Sequence, residues 1–436
     1  MTRGHLLPAL AATALLALVA SGCGDDDNST ENARTTTVNR TTTVAVPSPT
    51  QKLKRDNLTV YLSQAFQGIS KPSAESIRNS AQLALEQAGA RAGGMRVDLV
   101  ALDDALQSTG LTDRGAIEQN ARTAVTDPTA IAYIGDQGSG DTAFSLPITN
   151  AAGLLHVSAT NTSPGLTQTG TLDKDAPGKF YPSGQRNYGR IVPTDKIQAG
   201  AQIALAKTLN CRAIGVLNDG GVFGSGLAQQ LVAQGRAGGV TLGRQATIDL
   251  AKTDGSAGIR TVATGAPDCV IYAGSAGENV IALWGRLHAA LPNARLIGPD
   301  ALANAEFALR IGSAGPLTYL TTPTLASKYF NEAGQDFLST YGIRFGGVPD
   351  PSGIYGYETM RAVLAAINAA GREPTRAQVV AQWFALRNRQ SSLGSYSISA
   401  TGDSTLTTFG AYRVVDQALV FYRVLDSREG AANTSG

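Results

Sequence analysis

Residues 131–167 read IAYIGDQGSGDTAFSLPITNAAGLLHVSATNTSPGLT. A short apolar strand over 131–134 breaks at Gly135 into a loop of Gly, Ser and Asp, and a helix starts near Asp141. A second strand over 153–157 ends in a cluster of hydroxyls and an amide, Ser158, Thr160, Asn161 and Thr162. Two strands whose carboxyl ends open into small polar loops around a helix N-terminus mark the place where an open parallel sheet holds a small polar ligand. The first helical turn leaves N–H groups unpaired, which favours an anionic group there. Gly135, Gly138 and Gly140 let a ligand approach the backbone, and Ser139 and Thr142 add donors for a carboxylate. Any strand-to-helix turn also needs glycine and a capping side chain, so this loop by itself does not decide between binding and plain structure.

Upstream and downstream, strand and helix alternate. A strand over 59–62 precedes a helix over 73–88, whose Ile77, Ala81, Leu83, Ala84 and Ala88 share one side at 3.6-residue spacing. A strand over 97–102 and a helix over 113–125 lead into the opening stretch. This order predicts a parallel sheet covered on both faces. After an irregular segment over 179–193 the pattern restarts, with a helix over 196–207, a strand over 212–217, a helix over 226–234, strands over 240–248 and 269–272, a helix over 278–291 and a strand over 295–298. Helices over 326–341, 353–370 and 375–385 have no strand of their own to cover and pack best by returning to the first unit. A hairpin of 409–415 and 418–425 ends the chain, so the chain crosses between units several times and builds a hinge.

The 436 residues suffice for two lobes plus extras, and a net charge of +2 without a basic block excludes nucleic-acid binding. Residues 1–22 read as a targeting segment, with a mostly apolar run over 9–20 too short to span a membrane. The run ends in Val19-Ala20-Ser21-Gly22-Cys23, which resembles a bacterial lipobox with Ala20 in the place usually held by leucine. It implies cleavage before Cys23 and a lipid on that sulfur. Residues 23–56 are then a disordered tether, acidic, Thr-rich and Pro/Ser-rich, and about 34 flexible residues reach on the order of 30 Å. The remaining cysteines, Cys211 and Cys269, stand at the same end of two strands, and outside the cytoplasm they are expected to form a disulfide.

Several chemistries are set aside. Of the three histidines, His5 leaves with the signal, while His156 in an apolar strand and His288 on a helix face read as structural. No paired-His or C-x-x-C metal spacing, Walker A motif or G-x-S-x-G elbow occurs. Gly138 to Ala143 fits G-x-G-x-x-A, but it follows the third strand, no acid ends the next one, and Asp141 would repel a pyrophosphate. Asp103 with Asp104, and Asp136 with Asp141, read as solvated or capping acids. No cofactor and no enzyme activity are expected.

Six blocks in order, IAYIGDQGSGDT, LLHVSATNTSPGLT, IVPTDKIQAGA, AIGVLNDGGVFGSGLA, DCVIYAGSAGENV and LIGPDALAN, resemble successive motifs of the branched-chain amino acid (Leu/Ile/Val) binding proteins, the type I periplasmic substrate-binding proteins of ABC importers. The resemblance implies an α/β fold of two Rossmann-like lobes with parallel sheets joined by a multi-strand hinge, closing on an amino acid or similar small molecule. The organisation it implies is a first lobe of 57–192 and 323–396, a second of 193–322 and 397–427, and a tail of 428–436. Ser139 matches the serine that takes the ligand carboxylate with its hydroxyl and N–H. Thr160 and Thr162 fall where a carbonyl and a hydroxyl meet the ligand's amino and carboxyl groups. Asp300 falls where a glutamate holds the ammonium. Phe223 replaces a frequent tyrosine, Ser275 replaces an aromatic wall, and Gln137 and Gly140 flank Ser139, so the pocket departs from a leucine-like one. The implied partners are ABC permease subunits and, through the lipid, the membrane; the implied state is an extracytoplasmic monomer. A sensory receptor of the same fold is the other reading of the same blocks.

Overall fold

Residues 45–52, 56–108 and 110–426 are described by a computed structural model. The signal segment, Cys23 and most of the tether lie outside them. Of the expected tether, residues 45–52 run over the first lobe, where the Pro49 carbonyl accepts from Ala377 N at 3.0 Å.

The first half alternates β1 (Asn57–Gln64), α1 (Lys71–Gln87), β2 (Arg91–Ala92), β3 (Met95–Asp103), α2 (Arg114–Thr126), β4 (Ala130–Ile134), α3 (Ser139–Ala151), β5 (Leu155–Ser158) and β6 (Tyr188–Arg190). The six strands pair in the order β2-β3-β1-β4-β5-β6, and β2 with β3 is the antiparallel pair. β4 and β5 are buried throughout, as expected of parallel strands covered on both faces. Sequence signals set the helix starts: Pro72 occupies the first turn of α1, and the Asp113 side chain accepts from Ala116 N at the start of α2.

The second half runs α4 (Asp195–Thr208), β7 (Ile214–Asn218), α5 (Val222–Ala237), β8 (Leu242–Thr247), α6 (Ser256–Ala263), β9 (Cys269–Ala273), α7 (Glu278–Ala290), β10 (Arg295–Gly298), α8 (Ala305–Arg310) and β11 (Thr318–Thr322). Next come α9 (Glu332–Phe345), α10 (Gly353–Ala369), α11 (Arg376–Phe384), the small hairpin β12 (Arg389–Ser391) and β13 (Gly394–Tyr396), then β14 (Phe409–Val415) and β15 (Ala418–Leu425). A seven-stranded sheet forms in the order β15-β14-β11-β10-β9-β7-β8. Its strands are parallel from β8 to β11, and β14 and β15 close one edge antiparallel.

The late helices do return to the first lobe. Met360, Val363 and Ile367 of α10 and Trp383 of α11 are buried with Leu58, Val60 and Ile77 in one core. The Arg376 guanidinium also donates to the carbonyls of Ala130 at 3.0 Å and Asp127 at 2.9 Å. The second sheet packs one face on Trp284, Phe307 and Leu302, and the other on Ile203, Leu227 and Leu231.

The differences from expectation have local causes. The segment read as irregular contains β6, whose three residues are too few to show alternation. Strand β11, TYLTT, was missed because threonines interrupt its apolar signal. The helix expected from 326 starts at Glu332, where Asn331 caps it, after a short turn at Ser327–Tyr329. Residues 397–406, expected with the second lobe, pack on the first: Ile398 and Leu406 join its core and Gly402 O accepts from Arg190 N at 2.9 Å. Gly189 is required by packing, since a Cβ there would lie 2.1 Å from Trp383 Nε1.

Cys211 and Cys269 are joined by a disulfide with a Cα–Cα distance of 5.8 Å. It ties the approach to β7 to the start of β9, its parallel neighbour. The bond closes a separation of 58 residues, for which chain entropy gives about 4 kcal/mol. A Cys211→Ser/Cys269→Ser variant, or the reduced protein, is expected to melt several degrees lower in calorimetry, whereas an unchanged melting temperature would show that the bond adds no stability.

Candidate functional site

The carboxyl ends of both sheets and the crossing segments enclose a cleft of about 180 Å³. Gln137, Ser139, Gly140, Thr160, Thr162, Phe223, Ser275 and Asp300 all line it. Thr142, read as a further donor for a carboxylate, does not line it: its hydroxyl accepts from Asp136 N at 2.9 Å and is buried in the loop.

On the first lobe, α3 begins at Ser139 with Gly138 as its N-cap. Asp141 folds back to accept from Gly138 N at 3.0 Å and from the Thr112 hydroxyl at 2.9 Å. The amides of Ser139 and Gly140 have no acceptor within the helix, because they belong to its first turn. The polar cluster after β5 builds the adjoining wall. Thr160 Oγ1 donates to Gln137 O at 2.8 Å, Asn161 Nδ2 to Asp136 O at 2.9 Å, and Thr142 Oγ1 to Asn161 Oδ1 at 2.5 Å. Thr160's hydroxyl therefore serves to hold the loop, and Ser139 Oγ accepts from Ser163 N at 3.2 Å. His156 sits below, fully buried between Tyr133 and Tyr188. Its Nε2 donates to Gly135 O at 2.9 Å and its Nδ1 accepts from Thr149 Oγ1 at 3.0 Å. Burial pushes this imidazole down to about 4, so it is a neutral structural group.

On the second lobe, Asp300 N donates to Gln198 Oε1 at 2.8 Å while its Oδ1 accepts from Gln198 Nε2 at 2.9 Å. Gln198 Nε2 also donates to Asp195 Oδ1 at 3.1 Å, and Asp195 N to Thr162 O at 2.8 Å. Phe223, in the first turn of α5, is packed into the second-lobe core with its edge at the cleft. Ser275 is exposed at the rim, and Asp219 Oδ2 accepts from its N–H at 2.7 Å.

The lobes meet around the cleft. Ile69, in the turn Gly68–Ser70 of the first lobe, is only 2% exposed and is packed in the second-lobe cluster with Leu302, Ala303 and Phe307. The Asp350 carboxylate, on the loop before α10, accepts from Ala305 N at the start of α8 at 3.3 Å. Sequence reasoning missed Ile69, Ser73, Asp350, Ser352 and Tyr355, all of which line the cleft. The Pro-Asp-Pro-Ser run at 349–352 carried a turn signal, but nothing in it said that the turn faces the site.

The acids need a correction. Asp104 and Asp136, read as solvated or capping groups, are completely buried. Asp136 Oδ1 accepts from the Tyr133 hydroxyl at 2.7 Å and its Oδ2 from the Ser145 hydroxyl. Burial drives Asp136 up to about 7 and Asp104 well above the carboxylate range. Burial likewise raises Asp141 to about 6, Asp300 to about 6 and Asp350 to about 7. Asp195 rises to about 7, through burial first and the neighbouring Asp300 charge second.

Two Rossmann-like lobes, several crossings and a cleft at the sheets' carboxyl ends define a hinged ligand-binding protein. The profile of the periplasmic binding protein family matches residues 59–424, and the chain belongs to that family, in its type I form. It is accordingly an extracytoplasmic substrate-binding protein and not an enzyme. A Leu/Ile/Val-binding protein of Rhizobium johnstonii is 24% identical over 367 residues, covering 83% of this chain and 92% of that protein. A leucine binding protein of Thermotoga maritima superposes with a TM-score of 0.73 at 19% identity, covering 85% of this chain and 99% of that one. A solute binding protein from R. palustris, solved in complex with benzoate, gives 0.69 at 19% identity over 86% and 96% of the two chains. Among the described residues no helix is long and apolar enough to cross a membrane.

The raised acids predict a pH profile. Asp136, Asp141, Asp195, Asp300 and Asp350 hold protons to about pH 6 or 7 in the folded protein, whereas the unfolded chain releases them near 4. The folded state then binds more protons across this window, so stability falls as pH rises through it. His156, depressed to about 4, works in the opposite direction below about 6.5, one group against five. The ligand-free protein is expected to melt higher at pH 5 than at pH 8; a rise over that interval in differential scanning fluorimetry contradicts the assignment.

Proposed function

We propose that this protein captures an amino acid or a similar small amphoteric molecule between its lobes and presents the closed form to the permease subunits of an ABC importer, with no covalent step. One observation carries the reading: the first-turn amides of α3 on one lobe and Asp300 on the other face the same cleft. The amides suit a carboxylate and the acid suits an ammonium. The names of relatives that bind leucine, isoleucine or valine support an amino acid, and the small volume agrees with one. Lobe closure needs a ligand that favours the shut form over the open one, since affinity shared by both shifts nothing.

The same reading makes the mature protein a monomeric lipoprotein, held by a lipid on Cys23. Cys23→Ser is expected to shift the protein from the membrane fraction to the soluble one; an unchanged distribution removes the anchor.

Mass spectrometry of the copurifying molecule, followed by a thermal-shift screen of amino acids and related acids, names the ligand, because a ligand selective for the folded form raises the melting temperature. With that ligand, Asp300→Asn is expected to weaken binding at least about tenfold in calorimetry, the scale of a charge-assisted bond at about 1.5–3 kcal/mol. Ser139→Ala should weaken it less, because the backbone amides remain. Unchanged affinity in both variants would sink the proposal.

A further inference from the structure

The cleft is lined by four carboxylates, those of Asp141, Glu278, Asp300 and Asp350, and by no Lys, Arg or His among the described residues. Two of the four are already engaged. Arg310 forks onto Glu278 at 2.8 and 2.5 Å, and Asp141 is turned back onto Gly138 N and the Thr112 hydroxyl. Asp300 and Asp350 have neutral partners instead: Gln198 Nε2 at 2.9 Å for the first, and Ala305 N at 3.3 Å for the second.

Behind Asp300 stands a further carboxyl group. Asp195 is fully buried, shares Gln198 with Asp300, and lies against the Thr162 side chain of the cleft wall. Arg190, whose charge acts on Asp195, is itself paired with Asp403 at 2.9 Å. On the opposite wall the buried Oε1 of Gln137 lacks a donor among the described residues. The site therefore offers carboxyl groups and acceptors from both lobes, and a facing cation favours the charged form of each acid. A branched aliphatic amino acid brings one ammonium balanced by its own carboxylate and leaves that charge uncompensated, which is unfavourable away from water.

We infer that the cleft takes a small ligand of net positive charge carrying two amino or guanidino groups on an aliphatic chain, one set against Asp300 of the second lobe with Asp195 behind it, the other against Asp350 of the first. The inference rests on the function proposed above and narrows its ligand class. Ile69, Phe223 and Tyr355 supply apolar wall for the methylenes between the two ends. Because the two acids belong to different lobes, such a ligand gains both contacts only when the cleft is shut, which is the differential that closure needs. A basic amino acid and a diamine share this chemistry, and a carboxylate at the α3 amides separates them.

The test is calorimetric titration and thermal shift of the purified full-length protein with L-arginine, L-lysine, agmatine and cadaverine, against L-leucine and L-glutamate. At least one cation is expected to bind about tenfold or more tightly than L-leucine, with no shift from L-glutamate. L-arginine or L-lysine leading assigns a basic amino acid; agmatine or cadaverine leading assigns a diamine. Asp350→Asn keeps an acceptor for Ala305 N; it should weaken the leading cation about tenfold and by clearly more than it weakens L-leucine, and Asp350→Glu should restore most of the loss. Asp300→Asn should weaken cation and L-leucine alike. If L-leucine binds more tightly than every cation and Asp350→Asn changes nothing, this inference fails while the proposed function stands. Silence toward every amine overturns both.

Discussion

A buried guanidinium holds the site in shape. Arg190, at the end of β6, has no solvent exposure and donates to Asp403 Oδ1 at 2.9 Å, to the carbonyls of Asn161 and Ser163 at 2.9 Å each, and to Thr167 Oγ1 at 2.7 Å. An arginine tolerates such burial only when its donors are matched, and its rigid fork fixes where the acceptors must lie. Here the acceptors include the carbonyls of the loop that walls the cleft. Asp403 also accepts from the Thr167 hydroxyl at 2.8 Å and from Gln168 Nε2 at 2.7 Å. It stands on the segment that leads from the first lobe into β14, so one ion pair binds the loop to a crossing. Removing Asp403 would strand a buried cation, at a cost of about 3–5 kcal/mol.

A second constraint follows from how many carboxylates the same end of the first sheet buries. Ser63 Oγ donates to Asp104 Oδ2 at 3.2 Å and accepts from Asn120 Nδ2 at 3.1 Å, while Asp136 is held by Tyr133 and Ser145. These bonds satisfy part of each carboxylate and, among the described residues, no basic group pairs with either, which is why burial raises them. The positive end of α3 faces this group, with Asp141 in its first turn. Its first-turn amides can still take an anion, beside acids whose charged form burial disfavours.

Closure adds the third. Ile69 leaves one lobe and is buried in the core of the other, next to the segment that carries Asp300. The turn that presents it is tight: Gly68 has φ +63°, and a Cβ there would lie 2.7 Å from Gly110 O. Asp350 reaches the same segment from the other side through Ala305 N. The residues set against the ligand and those that join the lobes therefore lie side by side, and opening the hinge exposes both together.

The sequence by itself determined the alternation of strand and helix, the polar loop at the head of α3 and the two cysteines at one sheet end, because each is a local pattern of apolar spacing, glycine and capping residues. It also put forward Ser139, Thr162 and Asp300, once six ordered motifs placed them in a common frame, and the three line one cleft. Only the tertiary structure decided what these residues meet. β6 and β11 were illegible because three residues, or a run broken by threonines, have no period of their own and become strands through their neighbours. Asp104 and Asp136 looked like surface acids because burial depends on which segments cover them. Asp350 lies 50 residues beyond Asp300 and in the other lobe, so only the return of the late helices brings the two to one cleft. Periodicity reports what a residue shares with its neighbours along the chain, whereas charge balance in a cleft depends on residues brought together across it.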